Sequence, residues 1–74
     1  MQDWRDRISM NPKVCHGKAC IYGTRIPVSV ITDNLAVGIS RRDVLTSYPR
    51  LVAADLDAAL LYTAELSKVD VNNA

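Results

Sequence analysis

The chain contains no phenylalanine, and aromatic residues make up only 5% of its 74 residues. Its core must therefore be built from Val, Ile, Leu and Ala. It has a single histidine and two cysteines. That set lacks the second short-spaced ligand pair a structural zinc site uses, and it supplies no disulfide framework. No stretch approaches the ~18 consecutive apolar residues of a membrane-spanning helix. Residues 1–10 are charged and lack the apolar centre of a signal peptide. The expectation is a cytoplasmic protein with no membrane partner, in whose reducing surroundings a disulfide is not expected. Internal repeats and low-complexity tracts are absent as well.

What is present is a hydrophobic fraction of 49%, enough for one small domain. A chain of this size buries only ~60% of the surface its unfolded form exposes. Small cores of this kind often need a metal, a disulfide or a partner subunit, so a homodimer is expected. The net charge of +1 and a pI near 7.8 fall short of the pI above ~9 usual for a basic nucleic-acid-binding domain. The charge is unevenly spread. Residues 1–25 carry Arg5, Arg7, Lys13, Lys18 and Arg25 against Asp3 and Asp6, a net of +3. Residues 53–74 carry Lys68 against Asp55, Asp57, Glu65 and Asp70, a net of −3.

The hydrophobic pattern divides the chain into a flexible charged arm (1–7, with Trp4 as its bulky anchor), one domain (8–68) and a short tail (69–74). Ile8-Ser9-Met10 reads as a short strand stopped by the turn signal Asn11-Pro12. Cys20-Ile21-Tyr22 and Thr24-Arg25-Ile26 read as strand-like pieces around Gly23. From Val28 the period becomes helical, with Val28, Ile31 and Leu35 on one face. Pro27 suits a helix entrance, and Gly38 a left-handed stop. Ser40 with Asp43 resembles a capping box for a second helix over 41–47, with Val44 and Tyr48 stacked and Pro49 preventing continuation. A third helix is expected over 53–68. The fold class is mainly α: three helices in a helix-turn-helix-like arrangement behind a short β element.

The run Asn11-Pro12, Cys15-x-Gly17-Lys18-x-Cys20-Ile21-x-Gly23-Thr24-Arg25-Ile26, followed by an apolar helix, Gly38 and Tyr48-Pro49, resembles a small bacterial family, the domain of unknown function 433. The resemblance covers roughly residues 8–66. It implies a homeodomain-like three-helix fold with an N-terminal β element. It also implies a role as the antitoxin of a toxin–antitoxin pair whose partner is a PIN-type nuclease. It implies no catalytic residues. One position departs from the family pattern: Val52-Ala53 replaces the usual Thr or Ser followed by Pro. The side-chain cap of the third helix is thereby lost, at a cost of about 1 kcal/mol. Asp55 offsets part of this through the helix dipole, and the helix start is expected to fray.

Cys15, His16 and Cys20 place three soft ligands within six residues. Without a fourth they are better read as loop-packing residues, with a metal shared across a dimer as the open alternative. A Cys-His nucleophile pair lacks an oxyanion site and an orienting group, so enzymatic activity is not expected. Gly17, Lys18, Gly23 and Thr24 lack the spacing of a phosphate loop. Their glycines read as backbone devices, from which Lys18 and Arg25 project.

Lys18, Arg25, Arg41, Arg42 and Arg50 are candidate phosphate contacts, with solvated surface cations as the alternative. The third helix, however, offers Asp55, Asp57 and Glu65 where a recognition helix would present groups to bases. A helical projection puts Leu56, Ala59, Leu60, Thr63 and Leu66 on its core face. Leu61 falls between Asp57 and Glu65 on the polar side, with Tyr62 and Val69 bordering it, which suggests an interface. Leu61, Tyr62 and Trp4 are the candidate contacts with a partner or a second copy. The expected protein is a non-catalytic, antitoxin-like module without a cofactor. The alternative is a small DNA-binding regulator acting on its own operator.

Overall fold

The computed structural model describes residues 3–10 and 18–72, with side chains to Lys68. A 3-10 turn (Trp4–Arg7) leads into strand β1 (Ile8–Ser9), which pairs antiparallel with β2 (Cys20–Ile21). Three helices follow: α1 (Val28–Ala36), α2 (Arg41–Ser47) and α3 (Ala53–Asn72). In register, Ile8 faces Ile21 and Ser9 faces Cys20. The ladder continues outward through the amide of Tyr22, which donates to the Arg7 carbonyl at 2.7 Å.

Thr24-Arg25-Ile26 is a tight return rather than a third strand. Gly23 has φ +80°, a conformation that disfavours a Cβ. The Thr24 hydroxyl donates to the Ile21 carbonyl at 2.8 Å and accepts from the Ile26 amide at 3.1 Å. The Ile21 amide donates to the Ile26 carbonyl, and the Val28 amide to the Ala19 carbonyl, each at 3.0 Å. Pro27 bridges to Cys20 and serves as the extended N-cap of α1. The return thus delivers α1 directly onto the strand pair.

Helix boundaries follow local chemistry. Gly38, with φ +94°, turns the chain out of α1. The Ser40 hydroxyl accepts from the Asp43 amide at 3.1 Å and starts α2. Asp55 does more for α3 than oppose its dipole. Its Oδ2 accepts from the Val52 amide at 2.9 Å, the reach-back half of a capping box, so Val52 is capped without a side-chain hydroxyl of its own.

Ile21, Val28, Ile31, Val44, Leu51, Leu56 and Ala59 form the core cluster, with Ile8, Ile26, Leu35, Leu45, Tyr48 and Tyr62 packed around it. Every secondary element except the N-terminal turn contributes to this cluster or its edge. Three expectations need correction. The N-terminal segment is not a free arm from Asp3 onward. Asp3 caps the 3-10 turn through the Arg5 amide, and Arg7 pairs with the buried Asp55 of α3 at 3.0 Å. Helix α3 takes in most of the expected tail, reaching Asn72. Leu60, Thr63 and Leu66 are exposed rather than core: Leu60 lies at the margin of the covered face, while Thr63 and Leu66 fall in the second half of α3, whose 20 residues span about 30 Å at ~1.5 Å per residue. It outruns the body that covers its first half.

Candidate functional site

The middle and second half of α3 and the N-terminal segment gather the exposed apolar side chains Met10, Leu60, Leu61 and Leu66. They divide between two surfaces. Leu60 and Leu61 are 41% and 45% exposed. Leu60 lies at the margin of the covered face, one turn after buried Leu56, and Leu61 on the outer side of α3, opposite Ala59. Asp57 lies one turn earlier on that side, and its Oδ1 accepts from Arg41 at 2.7 Å. Glu65 and Lys68 pair at 3.3 Å one turn later. The outer face is therefore an apolar pair framed by salt-bridged charges.

The inner surface is a groove under the overhanging part of α3. Leu66 continues the stripe begun by Leu56, Ala59 and Tyr62, yet it is 50% exposed. Two hollows flank it. One, of about 350 Å³, lies between Trp4 and Ile8 on one side and Tyr62 and Leu66 on the other, with Arg5 and Glu65 at its rim. The second, of about 360 Å³, lies between Leu66 and the Lys18–Ala19 segment and reaches Thr32 of α1. Met10, Tyr62 and Leu66 line both hollows. The Tyr62 hydroxyl donates to Met10 Sδ at 3.7 Å, tying the segment after β1 to the helix.

These placements sort the residues singled out from the sequence. Leu61 is exposed on α3, while Tyr62 is half-buried, packed against the core and lining the groove. Trp4 also lines the groove, its ring stacked beneath the Arg5 guanidinium at 4.6 Å. The cations are dispersed. Arg41 is held by Asp57 and the Ala53 carbonyl near the start of α3, whereas Lys18 sits by Thr63 and Leu66, about two turns further along. Arg25, Arg42 and Arg50 are exposed.

Cys20 is fully buried, its thiol directed at the Thr24 carbonyl at 3.7 Å, so it packs the turn as a small apolar residue. Cys15, His16 and Gly17 lie outside the described residues, as does the side chain of Val69. Among the described residues no group of three His, Cys, Asp or Glu side chains is placed to share a metal ion.

Among the described residues, Asp3 is the group whose titration is clearly displaced. The hydrogen bond from the Arg5 amide, with help from the Arg5 charge, holds its carboxyl below the ordinary value of 3.8. Sequence reasoning did not find the groove, the Arg7–Asp55 pair or the exposure of Leu66. The available signal for the groove was the continuation of the α3 apolar stripe past Ala59, the last of its buried residues among those described.

Comparison with known proteins supplies a relationship without a chemistry. A family model described as "Protein of unknown function (DUF433)" matches residues 8–63. A crystal structure described as that of a DUF433 member protein from Anabaena variabilis ATCC 29413 is similar, with a TM-score of 0.79 and 35% identity. The match covers 92% of this chain and 68% of that one. A comparison with curated proteins gave no match.

Proposed function

The chain belongs to the DUF433 family of proteins of unknown function, and from that premise we propose that it is a non-catalytic, antitoxin-like protein. In this reading it binds a PIN-type nuclease in the cytoplasm and inhibits it through the outer face of α3. The observation that carries the reading is the exposure of two adjacent leucines, Leu61 on the side of α3 away from the core and Leu60 at the edge of the covered face. A single exposed leucine is ordinary. An apolar pair framed by Arg41–Asp57 and Glu65–Lys68 has the layout of an interface centre with a charged rim. The nuclease identity of the partner rests on the family resemblance.

The test is co-expression with the product of the adjacent gene. The reading expects the two proteins to copurify and the neighbour to be toxic when expressed alone. Failure of both removes it.

A DNA-binding regulator is the second reading, favoured by Arg42 and Arg50 exposed in and just after α2. It is weakened by α3, whose exposed carboxylates would face phosphates, and by the engagement of Arg41 with Asp57. Salt separates the two. DNA binding falls steeply with ionic strength as counterions are released, whereas an apolar protein interface is far less sensitive.

A further inference from the structure

We infer that the segment from Trp4 to Ser9 is a latch, which lies closed along one face of α3 and opens as a unit while β2 and the three helices stay folded. The latch is a property of the chain by itself and does not rest on the nuclease reading.

The face it closes is defined by the points where it is fastened. The 3-10 turn packs on α3. Arg7 bonds to Asp55, and Met10, just past β1, accepts from Tyr62. Asp55, Ala58 and Tyr62 stand at i, i+3 and i+7, which puts them on one side of the helix. Ala58, between the two fastening points, is fully buried although it lies outside the core cluster. Opening the latch brings this side of α3, with its buried carboxylate, toward solvent.

Separability follows from where the burial is. No residue of the 3-10 turn is buried, and both residues of β1 are half-buried. The buried core cluster runs from Ile21 to Ala59, with Ile8 at its edge. Its members therefore come from the body and not from the latch. Strand β2 has partners besides β1. On its other edge the Ile21 amide donates to the Ile26 carbonyl and the Val28 amide to the Ala19 carbonyl, each at 3.0 Å, and Cys20 bridges to Pro27. A segment with few buried apolar side chains opens at a lower free energy than the core on which it lies.

Arg7 is the catch. Its guanidinium bonds to Asp55 at 3.0 Å, and its carbonyl accepts from the Tyr22 amide at 2.7 Å. One residue thus joins the latch to α3 and to β2. The Arg7–Asp55 bond breaks in the opening step. The bond from the Val52 amide to Asp55 lies within the helical body and survives it.

The experiment is urea denaturation of the intact chain at neutral pH, followed by two probes. Emission from Trp4, the chain's one tryptophan, reports the latch, and far-UV circular dichroism reports the helices. Amide hydrogen exchange is measured at the same urea concentrations. In the wild type the Trp4 change should come at lower urea than the loss of helix. Protection of the Tyr22 amide should be lost with the Trp4 change, and that of the Ile21 amide only with the helices. Arg7→Gln should raise the opening constant at least about tenfold, moving the Trp4 change to lower urea and leaving the circular dichroism midpoint in place. Val44→Ala, in the core on α2, should do the reverse, lowering the circular dichroism midpoint and leaving the Trp4 change where it was. Coincident Trp4 and helix transitions in the wild type overturn the inference, since coincidence is the mark of a single cooperative unit. So does an equal shift of both transitions by Arg7→Gln, or simultaneous loss of protection at Tyr22 and Ile21.

Discussion

Arg7 and Asp55, 48 residues apart in the chain, meet through Nη1 and Oδ1 at 3.0 Å, with the aspartate side chain only 8% exposed. The same carboxylate accepts from the Val52 amide through Oδ2. One residue therefore fastens the N-terminal segment to α3 and caps the helix that carries the proposed contact surface.

Replacing Asp55 should accordingly be costly. Asp55→Ala removes the acceptor of the Val52 amide and the ion pair with Arg7, and should destabilise the fold by about 3 kcal/mol. Asp55→Asn keeps an acceptor for the Val52 amide and loses the charge, so its cost should be about half as large. Urea denaturation of both variants checks the order. Equal losses would mean that the cap contributes little beyond the ion pair.

The Gly23-Thr24 return makes a second prediction. Thr24→Val keeps the side-chain shape but deletes the hydroxyl that bonds Ile21 and Ile26, and should cost about 1–3 kcal/mol. Thr24→Ser retains the hydroxyl and should cost less. Thermal unfolding of the pair measures the difference. If the valine variant is as stable as the serine variant, the hydroxyl is not what holds the return.

These two sites also mark how far the sequence could be read. The limits of α1 and the start of α2 were legible because their signals are local: Pro27 before α1, φ-permissive Gly38 after it, and Ser40 three residues before the amide that it caps. Gly23 was legible as a backbone device for the same reason. The Arg7–Asp55 pair was not, since nothing within either segment specifies a partner 48 residues away. Leu66 misled because a helical projection records direction but not length. It shares a face with buried Leu56 and Ala59, yet lies beyond the part of the body that covers that face. Leu61 was readable as exposed because its neighbours in projection, Asp57 and Glu65, are charged.

Asp3 carries the pH prediction. Its carboxyl titrates below 3.8 because the ionised form accepts from the Arg5 amide and pairs with the Arg5 guanidinium. A carboxyl with a lowered folded-state pKa adds stability at pH values above its ordinary value, and that contribution is lost as the pH falls through the folded value. The 3-10 turn should therefore loosen below pH 3.8. Trp4, the chain's one tryptophan, sits in that turn under Arg5 and reports it by fluorescence. Asp3→Asn should shift the Trp4 signal already at neutral pH and flatten this acid step. An unchanged acid step in the variant would assign it to another carboxylate.

The central claim, that the outer face of α3 binds and inhibits a nuclease, is tested most directly by titrating the adjacent gene's product with wild-type and Leu61→Asp protein while following nuclease activity. The account predicts saturable inhibition by the wild type. It predicts inhibition weakened at least about tenfold by Leu61→Asp, with the helical circular dichroism of the variant intact. Undiminished inhibition by Leu61→Asp, or no inhibition by the wild type, would contradict it.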